Sequence, residues 1–143
     1  MGQLWEHESD EANSIGGILL HICEQLSRHA ARYTQPGMVS AAGIEDYFPD
    51  MNLSPEKLVD TIEKTFATWQ LAIDELLVND SQPIDLFSIY HLVEHTSYHL
   101  GQIVDRVQRR AGVSFQFVQN GLNERKLRNI VETNAISNGS SMI

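Results

Sequence analysis

Apolar residues recur at helical spacing in three long runs, and that period restricts the chain to an architecture of packed helices. The first run is Ile15, Ile18, Leu19, Ile22, Cys23, Leu26, Ala30 and Tyr33, opened by a capping Asn13 or Ser14 and stopped by Pro36-Gly37. The second starts at Ser54-Pro55-Glu56, where a capping hydroxyl, a first-turn proline and an early acid coincide. It carries Leu58, Val59, Ile62, Phe66, Trp69, Ile73, Leu76 and Leu77 to about Val78. The third follows a cap at Asp85 and reaches Gly112, with a stripe of Leu86, Ile89, Leu92, Val93, Leu100, Ile103, Val104 and Val107. The short turn Asn79 to Pro83 predicts antiparallel neighbours. A shorter helix is expected from Leu122 to Val131, closing a single domain over residues 1–132, with a frayed tail over 133–143.

Between the first two runs, Gln35 to Leu53 shows no sustained period and reads as a long connection of the kind that often carries function. Its aromatic residues Tyr47 and Phe48 are placed to fold over a bundle mouth. The opening segment Met1 to Asn13 is polar, with Trp5 as the one aromatic able to dock on the helices. Gly101 costs about 1 kcal/mol inside a helix relative to alanine, which predicts close approach of a neighbouring backbone there.

Composition removes several function classes. Ten basic residues against nineteen acidic ones give a formal charge of −9, leaving no electrostatic footprint for nucleic acid or anionic lipid. No apolar run reaches the roughly 20 residues of a membrane span, and the acidic start is unlike a signal peptide. These features point to the cytoplasm, which also suits the lone Cys23, read as a small buried hydrophobe. There is no Gly-rich phosphate loop, no GxSxG and no CxxC.

Chemistry concentrates in Glu94-His95-Thr96-Ser97-Tyr98-His99-Leu100-Gly101-Gln102. His95 and His99 lie four apart, so both imidazoles share one helix face and can converge on one ion. His91 extends the series by a turn, and spacing leaves open which pair works. His21 sits at the margin of the first apolar stripe and by position alone reads as a core histidine. Glu94 points away from the His95 and His99 face, so the bridging carboxylates of a di-iron bundle have no support.

Two segments, Asn13-Ser14-Ile15-Gly16-Gly17-Ile18-Leu19-Leu20-His21 and His95-Thr96-Ser97-Tyr98-His99-Leu100-Gly101-Gln102-Ile103, resemble the DinB-like family of small helical proteins. They are similar to its "NSI…LLxH" and HxxxHxGQ signatures. The resemblance implies an all-α, antiparallel four-helix bundle binding a divalent metal through three histidines, here His21, His95 and His99, with His91 a bystander. A full first helix usual in that family is lacking or truncated, since only about a dozen polar residues precede the match. The vacant place predicts an exposed apolar groove on the stripe of the Ile15 or Ser54 helix, covered by a second copy of the chain or else by the Leu122 to Val131 helix folding back into it.

Imidazole ligands suit zinc, nickel, iron or copper, and three of them leave a position open for water or a thiol. A thiol held there is deprotonated and ready to attack an electrophilic small molecule. This chemistry, together with the resemblance, points to a metal-dependent S-transferase using a low-molecular-weight thiol. A non-catalytic metal or small-molecule binding bundle is the alternative. Glu24 and Gln25, one turn beyond His21, and Gln102 are candidates to orient ligand imidazoles. Arg106 is a candidate to hold a carboxylate of the thiol cosubstrate, or else a solvated charge.

Overall fold

A computed structural model describes residues 2–35, 37–39, 42–78 and 83–116, together with positions 125, 128, 129 and 132. The described residues form three long helices, α1 (Ile15–Thr34), α2 (Pro55–Val78) and α3 (Leu86–Ala111), plus 3-10 turns at Gly2–Leu4 and Ile44–Asp46. They include no strand, so the fold is all-helical, with three helices where the sequence suggested a bundle of four. The tail over 133–143 lies outside the described residues, as does the helix expected from Leu122 to Val131 apart from positions 125, 128 and 129, which are helical. No described helix is long and apolar enough to cross a membrane.

The chain divides into two compact units, Met1–Arg106 and Val107–Ile143. The first holds α1, α2 and most of α3. In the second, the end of α3 meets Gly112 in the left-handed region at φ 63°, where a glycine is tolerated without strain. The Gln108 side chain accepts a hydrogen bond from the Phe115 amide at 2.9 Å.

Local chemistry sets each helix start. Ser14, not Asn13, caps α1, its hydroxyl accepting from the Gly17 amide at 3.0 Å. Asp85 caps α3 by accepting from the Ser88 amide at 3.1 Å. At the head of α2 the Ser54 hydroxyl lies 3.4 Å from the Lys57 amide, a long cap supported by Pro55 and Glu56.

The helix α1 is central. From Ile15 to Cys23 every residue except Leu19 is buried, which is all-round burial where the sequence showed a stripe. On one side Leu20 packs with Leu58 of α2 and with Trp5. On another, Ile18, Ile22 and Leu26 pack with Leu92 of α3, supported by Phe48, Trp69 and Ile103. The pairings of Leu20 with Leu58, Cys23 with Thr65 and His29 with Trp69 advance together, so α1 and α2 run parallel. Those of Asn13 with Arg106, His21 with His95 and Arg32 with Ser88 run in opposite senses, so α3 is antiparallel to α1. Antiparallel order therefore holds between α2 and α3 but not for the α1 and α2 pair.

The parallel pair explains the long connection. A 20-residue α1 is about 30 Å long, and the chain must travel back along it before α2 can start beside its N-terminal half. On the way it leaves the Tyr47 carbonyl and the Phe48 ring against His21, Asp50 against Ser14, and the Leu53 carbonyl against the Trp5 indole. Asp50 also meets His7 at 2.6 Å, and the same imidazole lies 2.6 Å from the Ala12 carbonyl. Two acceptors on one ring favour the doubly protonated form, and His7 is raised above its ordinary 6.5, chiefly by the Asp50 hydrogen bond. Burial pushes the Asp50 carboxyl up, but hydrogen bonds from His7 and Ser14 outweigh it and hold it below its ordinary value.

The inward face of α3 differs from the apolar stripe seen in the sequence. Only Leu92 and His99 are buried on this helix, whereas Leu86, Val93 and Leu100 are 61%, 56% and 54% exposed. The face turned to α1 is mixed: Leu92 and Ile103 of the stripe pack there beside polar groups that find partners on α1 or the residues just ahead of it. Ser88 accepts from Arg32 at 2.8 Å, His95 meets His21, and Arg106 donates to the Asn13 carbonyl. Gly101 also departs from expectation: a Cβ there would have no described neighbour within 4 Å, so no backbone packs against it.

Two glycines on buried and open ground should respond oppositely to alanine. At Gly16 a Cβ would lie 2.6 Å from the Trp5 ring, so Gly16→Ala should destabilise by about 1–3 kcal/mol in urea unfolding. At Gly101 the substitution should stabilise by about 0.5–1 kcal/mol. Equal effects at both sites would contradict the docked position of Trp5.

Candidate metal centre

His21 projects from the middle of α1, and His95 and His99 project from successive turns of α3. The structure brings these three together: their ligand atoms all lie within 4.8 Å of one another. The Nε2 atom of His95 is 2.7 Å from that of His21 and 3.0 Å from that of His99. His21 is 1% and His99 5% exposed, while His95 is only partly covered and forms the accessible side.

The outer ring nitrogens decide what the inner ones can do. His21 Nδ1 lies 3.1 Å from the Tyr47 carbonyl, a partner that can only accept, so this nitrogen carries the proton. His99 Nδ1 lies 2.8 Å from Gln102 Oε1, whose Nε2 donates to the Tyr98 hydroxyl at 3.1 Å, so this ring is a donor on its outer side as well. In the neutral state both rings then present an Nε2 lone pair inward. A neutral His95 has one Nε2–H for two inward lone pairs, so it fully satisfies at most one of them, whereas a metal ion would accept all three Nε2 atoms at once. Imidazoles whose outer N–H is tied to a carbonyl oxygen are the usual arrangement around a bound metal.

Electrostatics favours the neutral, ligating form. Burial pushes His21 below its ordinary 6.5, helped by repulsion from His99, while the Tyr47 hydrogen bond opposes the shift. Burial likewise lowers His95, with further repulsion from His99 and His91. Phe48 stacks on His21 with ring centroids 4.3 Å apart and planes within 12°, closing one face of the site as its place in the long connection suggested.

The other sequence candidates are distributed differently. Gln102 does orient a triad imidazole. Glu24 instead pairs with Arg28 at 2.7 Å, and Gln25 lines a neighbouring cavity. Arg106 donates to the Asn13 backbone, fixing the start of α1 to α3. His91 stands outside the triad, its ring centroid 5.9 Å from that of His95. The Tyr47 carbonyl was missed because a main-chain acceptor leaves no residue signature. Tyr98 could have been found from its position four residues before Gln102.

No family model, curated protein or solved structure matches the chain. The described residues nonetheless offer one cluster of metal-ligating side chains, and it is the triad named above.

Alanine at His21, His95 or His99 should each lower zinc affinity at least about 10-fold in a competition titration, the effect scale of disturbed metal sites. His91→Ala should leave it unchanged. An equal loss at His91 would mean that a different pair works. Acid should weaken the metal-free fold. The pKa values of His21, His29 and His95 are depressed by burial, so below about 6.5 the unfolded chain binds protons that the native chain does not. Stability should therefore fall with pH from about 6.5 and level off below the depressed native values. His7, raised and exposed, works in the opposite sense and offsets part of the loss. Urea midpoints at about pH 7.5 and pH 5.5 check the sign.

Proposed function

We propose that this chain is a divalent-metal-binding protein of the DinB-like kind, whose three-histidine site serves a metal-dependent transferase acting with a low-molecular-weight thiol. One observation carries the metal-binding part: two imidazoles are locked by their outer N–H groups so that their Nε2 lone pairs converge with the third. The family part rests on the resemblance of the Asn13 to His21 and His95 to Ile103 segments. Zinc, nickel and iron all accept imidazole ligands.

When bound, the ion would supply the positive charge that lowers the pKa of an incoming thiol. The protein's own part is to hold the ligands and control access. Phe48 covers the His21 face, Gln102 fixes His99, and the partly exposed His95 leaves a side for small molecules to enter. Sulfur would then attack an electrophilic carbon as its leaving group departs. The second reading is a binding protein without turnover, which uses the same three ligands.

The apolar side chains left outside on α3, among them Leu86, Tyr90, Val93 and Leu100, suit a second copy of the chain as partner. An isologous contact would bring this stripe against its own symmetry mate. Sedimentation at low micromolar concentration should then give a dimer, and a monomer would remove that partner from the reading.

Metal analysis of protein purified without a nickel affinity step should find about one divalent ion per chain. A thiol-transfer screen of the loaded protein should detect turnover that chelation abolishes. Far-ultraviolet circular dichroism should barely change on chelation, because the helices are packed through Ile18, Ile22, Leu26 and Leu92 without the ion. Unfolding by chelator would mark the site as structural.

A further inference from the structure

A cavity of about 240 Å³ lies between α1 and α3, lined by Gln25, Arg28, His29, Arg32, Ser88 and His91 among others but by none of the three triad histidines. On α1 the series His21, Gln25, Arg28 and Arg32 descends one side of the helix, and on α3 the series His95, His91 and Ser88 descends beside it. His91, the bystander of the metal centre, lines the cavity and stands with its ring centroid 5.9 Å from that of His95, which makes it the link between cavity and triad.

The lining is cationic in a chain of formal charge −9. Two guanidiniums face the cavity and no carboxylate does. Arg28 is paired with Glu24, and Arg32 donates to the Ser88 hydroxyl with the Asp85 carboxylate close enough to attract it, so both guanidiniums face the cavity while the acids that offset them do not line it. His29 adds an independent observation. It is 4% exposed, and its Nδ1 accepts from the Trp69 indole N–H at 3.1 Å. The proton of the neutral ring must then sit on Nε2, and that buried N–H has no acceptor. A buried donor without a partner costs about 1–3 kcal/mol, a cost that a ligand oxygen removes. Burial and the nearby Arg32 charge keep His29 neutral, so it is a donor and not a third cation.

We propose that this cavity is an anion subsite of the three-histidine centre, receiving the carboxylate of a small molecule whose reacting end lies at the triad. Arg32 supplies the charge, and the Gln25 amide and His29 Nε2–H supply further donors. With both guanidiniums partly offset by the nearby Glu24 and Asp85 carboxylates, a monoanion suits the cavity better than a phosphate dianion. From His95 to Ser88, whose hydroxyl holds the Arg32 guanidinium, is seven residues, or about 10 Å along the helix, so the substrate class is an acid whose carboxylate stands roughly that far from its reactive atom. This assignment rests on the proposed function for its reacting end but not for its anion site, and the two are tested separately.

The first measurement uses metal-free protein titrated with hexanoate, hexanol or inorganic phosphate, read from the His29 imidazole and Arg32 side-chain resonances. Hexanoate should give a saturable shift, hexanol none, and phosphate a weaker one. Arg32→Gln, at an exposed position, should abolish saturation, with Arg28→Gln as a second variant and circular dichroism as the folding check. Absence of saturation, survival of it in Arg32→Gln, or a preference for phosphate would each overturn the assignment. The second measurement uses zinc-loaded protein with mercaptooctanoate against mercaptooctanol, a pair that differs only in the charged end. The acid should bind at least about tenfold tighter, and the gap should close in Arg32→Gln with zinc affinity unchanged. No gap would overturn the link between cavity and triad. Failure of zinc to bind would instead remove the proposed function and leave the first measurement to decide the anion site.

Discussion

A buried imidazole tied by its outer nitrogen to a main-chain carbonyl governs this structure. His21 is 1% exposed and lies in the middle of the most buried helix, so its inner nitrogen must find a partner inside the protein. That partner comes from α3. The histidine face of α3 turns inward together with Leu92 and Ile103, which leaves Leu86, Val93 and Leu100 of the apolar stripe outside, against the preference that burial of apolar area alone would give. The long connection follows from the same residue, since it delivers both the Tyr47 carbonyl that fixes the tautomer and the Phe48 ring that covers the imidazole.

Much of this was legible in the sequence. The starts and ends of the three helices agree with the caps and breakers that mark them, because capping is local chemistry. The His95 and His99 pair follows from helical geometry. Its partnership with His21 rested on resemblance alone until the fold placed the three nitrogens together. What stayed hidden is what depends on which helix faces which. The apolar stripe of α3 looked like a core face because periodicity reports amphipathicity, not the hydrogen bonds that compete with it. The parallel run of α1 and α2 could have been inferred from the length of the connection, which suffices to retrace α1. The Arg106 contact stayed hidden because its partner is a main-chain carbonyl 93 residues away in sequence.

The arrangement separates the roles of folding and chemistry. Apolar packing through Ile18, Ile22, Leu26 and Leu92 holds α1 to α3 just beyond the triad, and Arg32 with Ser88 and Arg106 with Asn13 pin the two ends of that contact. The histidines are thereby positioned before any ion arrives, which lowers the ordering cost of binding one. The cost appears instead as buried polar groups in need of partners: converging Nε2 atoms at the triad and an unpartnered N–H at His29. Both lie along one groove of α1.

The central claim is that three Nε2 atoms share one metal ion while their outer nitrogens keep the partners seen here. Long-range proton–nitrogen correlation spectra of the histidine rings, recorded before and after one equivalent of zinc, test it directly. The account predicts that the Nε2 signals of His21, His95 and His99 move together to the metal-bound range, that the Nδ1 protons of His21 and His99 persist, and that His7, His29 and His91 stay in place. Coordination through Nδ1, or a ligand set that includes His91 in place of His21, would contradict it.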